Sequence, residues 1–398
     1  MSAAPQSGLM AGVRVLDLSK LIPGAATAGA LAAMGADVVK VEQPEGDYLR
    51  RVPPLVSGHG ILGATLDAGK RSVAVDRTAA GSVDVLRRLV TSFDVVVESG
   101  RPGVMERDGL DGSELAASGI VVAHVSGFGR DGPLSSLPAH GLNLDAAAGL
   151  AFSNPNGTVA DGWMPISVLA GPVFAAGGIA AALFRRERSG TGTELDVSCS
   201  DAGVFWQQML GAPYWNDDVS DALPLHGGDP KARYSMYDTA DGHRVAFCAI
   251  EPRFFEAFCR DIGREDLLAE PPKGSEFDFG VEDAKLRAAL ETVFASRTRD
   301  EWTEVFVRAD VAASPIYSPE EIPDTAQAQA RDVVRTVTAP DGASLRVPAW
   351  PVREVGIDRP ACDRLPEVGE HTGAVLTEAG FSDDERASLA DAGITGEP

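Results

Sequence analysis

The sequence predicts an α/β protein, with a Rossmann-like, doubly wound parallel sheet in a large domain and a smaller α+β domain beside it. Short β-branched strands alternate with helices through about the first half of the chain, which is the pattern of βαβ units. The chain has 398 residues, more than the roughly 250 to 300 at which one hydrophobic core stops growing. After residue 200 the pattern becomes irregular and then resumes with a predicted hairpin followed by helices.

The first βαβ unit lies at the start of the chain. Residues 13–18 alternate and are β-branched, which predicts a strand, and the alanine-rich segment 23–34 predicts a helix that ends at Gly35. Residues 36–42 predict the second strand. The same reasoning predicts a helix at 82–92 and further strands at 72–76, 93–98 and 120–126.

Ligand sites of doubly wound sheets lie at the carboxyl ends of the strands. In this sequence those ends are Ser19-Lys20, Glu42, the run from Glu98 to Gly100, and Ser126-Gly127. We therefore expect the functional site to be built from these segments.

The large domain is predicted to comprise residues 1–200 and 326–398, with a linker at 201–224 and the small domain at 225–325. Within the small domain we predict a hairpin at 234–248 around Asp241-Gly242 and helices at 253–262, 283–295 and 300–308. A last helix is predicted at 383–392. The apolar run 168–184 is shorter than the about 20 residues that a membrane span needs and contains Pro172, so we predict a buried helix there.

The net charge of −23 argues against nucleic acid or an anionic membrane as a partner, because long-range repulsion opposes their approach. The four cysteines show no paired spacing and no accompanying histidine cluster, which favours reduced core residues and no metal site. The first residues lack the pattern of a secretory signal. We therefore predict a cytoplasmic protein whose anionic ligands bind in a local basic pocket.

The first strand is not followed by G-x-G-x-x-G, so a nicotinamide cofactor is not predicted. A better anion site is the glycine turn that contains Gly100 and Arg101, because a guanidinium at a strand end suits phosphate recognition. The same turn with a surface arginine is the structural alternative. Four further cations near strand ends or turns can converge with this turn: Lys40, Lys70, Arg71 and Arg107.

Several of these segments together resemble the class III CoA-transferase superfamily. The resemblance is carried, in order, by residues 12–18, 35–42, 69–73, 101–104, 126–133 and 185–198. It covers about the first half of the chain nearly continuously. It implies acyl-coenzyme A as substrate, with coenzyme A as part of that substrate and no tightly bound cofactor. It also implies an interlocked homodimer.

Two segments resemble the α-methylacyl-CoA racemase branch of that superfamily. The segment from His140 to Asn143 is similar to the branch's His-Asp-Ile-Asn, and the segment around Glu251 is similar to its Ala-Ile-Glu-Pro-Gln-Phe. The resemblance implies that His140 and Glu251 form a catalytic pair that moves the proton beside the thioester carbonyl. Imidazole suits such proton transfer near neutral pH. Read alone, Glu251 before a proline also suits the entry of a helix.

The sequence departs from the family at two positions. Gly141 and Val168 stand where the racemases have their second pair of acids, and Val168 also matches the nucleophilic aspartate of the transferases. Asp145 is a candidate replacement if the segment is helical, and a helix-dipole or exposed residue otherwise. Backbone N–H groups at the start of the helix around Leu169 are candidates for stabilising an enolate oxygen.

Three functions remain open from the sequence. The first is α-proton abstraction on an acyl-CoA, with racemisation, isomerisation or elimination as the outcome. The second is CoA transfer between acids through another nucleophile, and the third is acyl-CoA binding without catalysis. The acyl group is undetermined, although four large side chains can shape an apolar pocket: Trp163, Trp206, Met209 and Trp215.

Overall fold

The computed structural model describes residues 7–151, 157–159, 164–209, 211–217, 231–268 and 284–398. The chain divides into a large unit, Met1–Asp221 with Asp332–Pro398, and a small unit, Ala222–Arg331. The segment predicted as a linker begins inside a short helix of the large unit, Cys199–Phe205, which directly follows a strand of the sheet in that unit.

The structure describes the following strands: β1 (Arg14–Asp17), β2 (Asp37–Glu42), β3 (Leu55–Val56), β4 (His59–Gly60), β5 (Arg71–Val75), β6 (Val95–Glu98), β7 (Val121–Ser126), β8 (Thr193–Ser198), β9 (Ser235–Asp238), β10 (Arg244–Phe247), β11 (Ala313–Ile316), β12 (Val334–Thr338), β13 (Ser344–Pro348) and β14 (Thr395–Gly396).

Its α-helices are α1 (Leu21–Ala33), α2 (Ile61–Asp67), α3 (Ser82–Val90), α4 (Val104–Arg107), α5 (Gly112–Ala117), α6 (Gly141–Ala147), α7 (Ile166–Ser189), α8 (Cys199–Phe205), α9 (Pro252–Asp261), α10 (Ala284–Phe294), α11 (Arg299–Arg308), α12 (Ala326–Arg331), α13 (Thr372–Glu378) and α14 (Asp383–Asp391).

A seven-stranded sheet organises the large unit, in the order β14-β5-β2-β1-β6-β7-β8. Neighbouring strands are parallel except β14, which pairs antiparallel with β5. The strands predicted at 13–18, 36–42, 72–76, 93–98 and 120–126 are therefore confirmed as β1, β2, β5, β6 and β7. The sequence pattern missed β8, an edge strand whose charged residues mask its alternation, and β14, which has two residues.

Both faces of this sheet are covered. Val15 of β1 packs in a cluster with residues of α1 and α7, whereas the next residue, Leu16, packs in a second cluster with residues of α3 and α13. Successive strand residues point to opposite faces, so the two clusters lie on the two sides of the sheet. This is the doubly wound arrangement that the sequence predicts.

Helix α7 is long and apolar enough to cross a membrane by length and composition alone, and 56% of its most apolar window is buried. It packs on α1, α8, β7 and β8. The sequence predicted a buried helix, and one side of it is buried, but Leu169, Val173 and Phe184 on the other side are exposed.

The small unit has an aromatic core beside the antiparallel sheet β11-β10-β9. The predicted hairpin is confirmed as β9 and β10, and the turn between them contains Gly242 at φ 77°. Helices α9, α10 and α11 also lie where the sequence predicts them. The rings of Tyr237, Phe247, Phe294 and Trp302 pack together, with the Phe294 and Trp302 centroids 5.0 Å apart.

Candidate active site

A cavity of about 890 Å³ opens at the carboxyl ends of the parallel strands of the large unit. The predicted strand ends Ser19, Lys20, Glu42, Ser99, Gly100, Ser126 and Gly127 all line it. Its size is within the range of pockets that bind small molecules and cofactors. The location predicted from strand topology is thus where the structure has its large cavity.

The wall around His140 depends on a glycine at the end of β7. A Cβ atom at Gly127 would lie 2.4 Å from the Cβ of Ala139, a distance that real structures do not contain. The missing side chain therefore lets residues 139–141 lie against the strand end. In this way the sheet brings His140 to the cavity that β7 borders.

His140 is exposed, lines the cavity and immediately precedes α6. The Asn143 side chain holds it in place: Oδ1 accepts the His140 backbone N–H at 2.7 Å, and Nδ2 donates to the Pro138 carbonyl at 3.0 Å. The backbone that carries the imidazole is thus fixed on both sides, while the ring is open to the cavity. An accessible imidazole on a fixed backbone meets the geometric need of a general base.

Val168, in the first turn of α7, lines the same cavity as His140 and is 6% exposed. Leu144 and Phe128 line it as well, so this part of the wall is apolar. An isopropyl group neither attacks a carbonyl nor carries a proton. The chemistry of this wall is therefore limited to shaping the site and excluding water.

Asp145 is fully buried and caps the start of α7. Its carboxylate accepts the backbone N–H groups of Ile166 at 3.2 Å and Ser167 at 2.8 Å. The expectation of an exposed residue is thus wrong, whereas a role at a helix N-terminus is what the structure shows. Because these two N–H groups are occupied, they are not free to stabilise an enolate oxygen, a role for which the backbone at the start of this helix was a candidate.

Three exposed cations line the cavity: Lys20, Arg51 and Arg101. Within the described ranges none of them forms an ion pair. Among the described residues, Arg101 Nη1 donates to the Ser136 carbonyl, at 3.3 Å. A protein with a net charge of −23 therefore keeps a local positive group beside its cavity, which is the feature that an anionic ligand requires. Lys20 was predicted only as part of a strand end at the site, and Arg51 was not predicted there.

Lys40 and Lys70 were also predicted at this anion site, but the structure places them in the core. Their ammonium groups are enclosed, and both bind Asp67, at 2.7 and 2.8 Å. Lys70 also binds Asp17 at 2.8 Å, and Lys40 binds Asp47 at 3.2 Å. Burial alone would lower the pKa of Lys40, but Asp67 and Asp17 outweigh it and raise that pKa above its usual value.

The other two predicted cations also lie away from the cavity wall. Arg71 starts β5, at the amino ends of the strands, and pairs with Asp37 and Glu378. Arg107 is exposed at the end of α4, and its Nη1 lies 3.6 Å from the position of a Cβ at Gly103. Sequence position near a strand or turn did not show which end of the sheet each cation reaches.

Glu251 belongs to the small unit and precedes α9, with Pro252 in the first helical position. The prediction that Glu251 stands at the entry of a helix is thus confirmed. Its side chain is half-buried and forms no hydrogen bond with the residues that the structure describes. The carboxylate is thus available for a partner.

Of the four large side chains considered for an apolar pocket, Trp163 lies outside the described residues. Trp206, Met209 and Trp215 are exposed and are not part of the cavity wall. Among the described residues no group of three or more His, Cys, Asp or Glu side chains is arranged for a metal ion.

Comparison with known proteins assigns the chain to a family. The model of CoA-transferase family III matches residues 10–372. Alpha-methylacyl-CoA racemase from Mus musculus is 32% identical over 396 residues, covering 96% of each chain. Acetyl-CoA:oxalate CoA-transferase from Acetobacter aceti is 29% identical, covering 92% of this chain and 95% of its own length.

A solved structure shows the same architecture. Rv3272 from Mycobacterium tuberculosis is 26% identical and superposes with a TM-score of 0.77, covering 93% of this chain and 100% of that one. The family match spans the sheet except β14, the cavity wall and the small unit. The chain therefore belongs to CoA-transferase family III.

Proposed function

We propose that this protein is an acyl-CoA enzyme that uses His140 to remove the proton on the carbon beside the thioester carbonyl. The observation that carries the proposal is one cavity in which the exposed imidazole of His140 and the apolar side chain of Val168 share the wall, in a chain of CoA-transferase family III. The imidazole supplies a base. The valine excludes the acid that the family's transferases use as nucleophile.

Binding of the coenzyme A part is assigned to the basic side of the cavity. Arg101 can donate paired N–H groups to a phosphate, and Lys20 and Arg51 add positive charge nearby. Gly100, beside Arg101, leaves its backbone accessible at the carboxyl end of β6. Lys40 and Lys70 contribute indirectly, because Lys40 pairs with Asp47, a residue of the cavity wall, and Lys70 pairs with Asp17 in the core.

The second member of the proposed catalytic pair is Glu251. Its carboxylate, which has no hydrogen-bond partner among the residues that the structure describes, suits the task of orienting an imidazole and stabilising the imidazolium that forms when the proton is taken. Asp145 is committed to the backbone of α7 and is not assigned a proton-transfer role. With one base pair, return of the proton, movement of a double bond or loss of a leaving group are the outcomes that the chemistry allows.

CoA transfer through a covalent intermediate is the less favoured alternative. It requires a nucleophile, and Val168 is not one. The cysteines do not supply one either, since burial raises the pKa of all four thiols, that of Cys199 to about 12 and that of Cys259 to about 11. A thiol with such a pKa is hardly ionised at neutral pH.

The test is incubation of the enzyme with a 2-methylacyl-CoA in deuterium oxide. We expect one deuterium to enter at the α-carbon, detected by mass spectrometry of the thioester, and no acyl-enzyme to be captured by hydroxylamine. Capture of an acyl hydroxamate with a CoA acceptor present would favour transfer. If the protein binds acyl-CoA thioesters with a range of acyl chains but catalyses neither reaction, the result would favour an acyl-CoA-binding protein without catalysis.

We also propose a homodimer, supported by an exposed apolar surface on α7 and α8. Phe174 packs edge-on against Phe205 with centroids 5.2 Å apart, and Trp206 lies 6.3 Å from Phe174, so these rings form one patch. Val173 and Leu169 extend it along α7. Monomeric proteins rarely expose an apolar patch of this kind. A second copy of the chain is the occupant that the family resemblance implies.

Light scattering at micromolar concentration checks the dimer. We expect the wild type to have twice the mass of one chain. Val173→Asp is expected to shift the protein toward the monomer, because it buries a charge at the contact. Val307→Asp, at an exposed valine of the small unit, serves as the control and should leave the mass unchanged. A monomeric wild type would contradict the proposal.

A further inference from the structure

A fully buried histidine, His124, lies in β7 just before the strand reaches the cavity. Its ring bridges the two neighbouring strands: Nδ1 lies 2.5 Å from Glu98 Oε1 of β6, and Nε2 lies 2.8 Å from Glu194 Oε1 of β8. No part of the proposed reaction uses this residue. A buried imidazole that contacts two carboxylates is held in a defined position, and such a buried polar group calls for an explanation.

The packing around the bridge leaves no room for adjustment. A Cβ at Gly112 would lie 2.5 Å from Glu194 Oε1 and 3.1 Å from His124 Nε2, so the start of α5 closes directly over it. On the other side the Arg130 guanidinium lies 2.8 Å from Nδ1 and pairs with Glu106 at 2.7 Å. The ring therefore has one position, and it fixes the Glu98 carboxylate.

Glu98 passes this constraint on to the cavity wall. Its second oxygen, Oε2, accepts the backbone N–H of Gly100 at 2.6 Å. A Cβ at Gly100 would lie 3.0 Å from that oxygen and 2.7 Å from the Cβ of Val104, so the turn fits only without a side chain. Gly100 and Arg101 both line the cavity. A continuous series of contacts thus leads from the buried ring to the Gly100 backbone, and Arg101 is the next residue of the chain.

We infer that His124 is a positioning residue for acyl-CoA binding: through Glu98 it holds the Gly100 turn so that Arg101 meets the anionic part of coenzyme A. The inference rests on the proposed function, because it assigns the basic side of the cavity to coenzyme A. His124 touches no substrate. We expect His124 to affect the affinity for coenzyme A and not the rate of proton removal at the α-carbon.

The test measures KM and kcat for α-proton exchange together with the dissociation constant of coenzyme A by calorimetry. His124→Gln removes the contact from Nδ1 to Glu98, and we expect KM and the dissociation constant to rise about tenfold, as for loss of one hydrogen bond to a charged group. We expect kcat to stay within about twofold. His124→Asn places an amide N–H near the position of Nδ1 and should restore most of the affinity.

Arg101→Ala supplies the second arm. The double variant His124→Gln with Arg101→Ala should bind coenzyme A no more weakly than Arg101→Ala alone, because both changes remove the same contact. Glu98→Gln cannot accept from both His124 and Gly100 and should behave like His124→Gln, which covers the case of a His124 variant that does not fold. His371→Gln, at a histidine bonded to the Ser72 backbone, is the control.

The outcomes separate the inference from the proposed function. Effects of His124→Gln and Arg101→Ala that multiply, or a fall in kcat with unchanged affinity for coenzyme A, overturn the inference. Absence of proton exchange by a wild type that binds coenzyme A contradicts the proposed function, and the calorimetric comparison then still decides on His124. A wild type without affinity for coenzyme A overturns both.

Discussion

Replacing His140 by alanine is expected to lower the rate of α-proton exchange into a 2-methylacyl-CoA by a factor of about 10² to 10⁴, the range that one general base contributes. The imidazole is the only proposed base on the described cavity wall that is exposed and held by a fixed backbone. Neither Val168 nor the buried carboxylate of Asp145 can take over the proton. The initial rate of deuterium incorporation, measured by mass spectrometry, gives the size of the effect.

The fold should tolerate this change, which makes the result interpretable. The His140 side chain is exposed, and surface substitutions usually alter stability by less than about 0.5 kcal/mol. His371→Ala is the matched control, because that histidine contacts the Ser72 backbone and is not part of the cavity wall. Exchange that continues undiminished in His140→Ala, with a normal melting temperature, would exclude His140 as the base.

Strand topology is the part of the site that the sequence predicted well. Periodicity located β1, β2, β6 and β7, and the rule that ligands bind at carboxyl ends of parallel strands then located the cavity. His140 was predicted from its similarity to a family motif. It lies on the cavity wall because its segment follows β7 and packs beside the end of that strand. Strand periodicity and the short connections between neighbouring elements are properties of local sequence, so these features could be predicted without knowing any long-range contact.

Charged residues were predicted less well because their partners are distant in sequence. Lys70 sits beside a strand, as a ligand-binding cation would, yet its partner Asp17 is 53 residues away. Asp145 is 22 residues from the Ser167 N–H that it accepts. An aspartate inside an apolar strand such as β1 is a signal that a buried cation is needed, and it is the signal that could have corrected the assignment of Lys70.

The buried pairs predict a large loss of stability when one member is removed. Lys70→Met is expected to lower the free energy of unfolding by about 3 to 5 kcal/mol, the usual cost of breaking a buried ion pair. Lys70 Nζ lies 2.8 Å from Asp17 Oδ2, 2.8 Å from Asp67 Oδ1 and 3.0 Å from the Ala25 carbonyl. Methionine fills the space but leaves Asp17, which is fully buried, without its cation.

Urea unfolding at neutral pH measures this loss, and Arg71→Met is the control. Arg71 also pairs with two carboxylates, but its side chain and those partners are 21 to 42% exposed. Solvent screens such pairs, so we expect a loss of no more than about 1 kcal/mol. Equal losses in the two variants would contradict the view that burial determines the effect.

Acid distinguishes an electrostatic loss from a packing defect. Burial alone would raise the pKa of Asp67, but the ammonium groups of Lys40 and Lys70 hold it well below its usual value. A carboxyl group with a lowered pKa in the folded state stabilises the protein above its unfolded pKa of about 3.9, and this stabilisation is lost as the pH falls below that value. Lys70→Met weakens the hold on Asp67, so the variant has less of this stabilisation to lose. The difference between wild type and Lys70→Met should therefore shrink as the pH is lowered below about 4, toward the folded-state pKa of Asp67. A difference that stays constant over this range would mean that packing, and not charge, accounts for it.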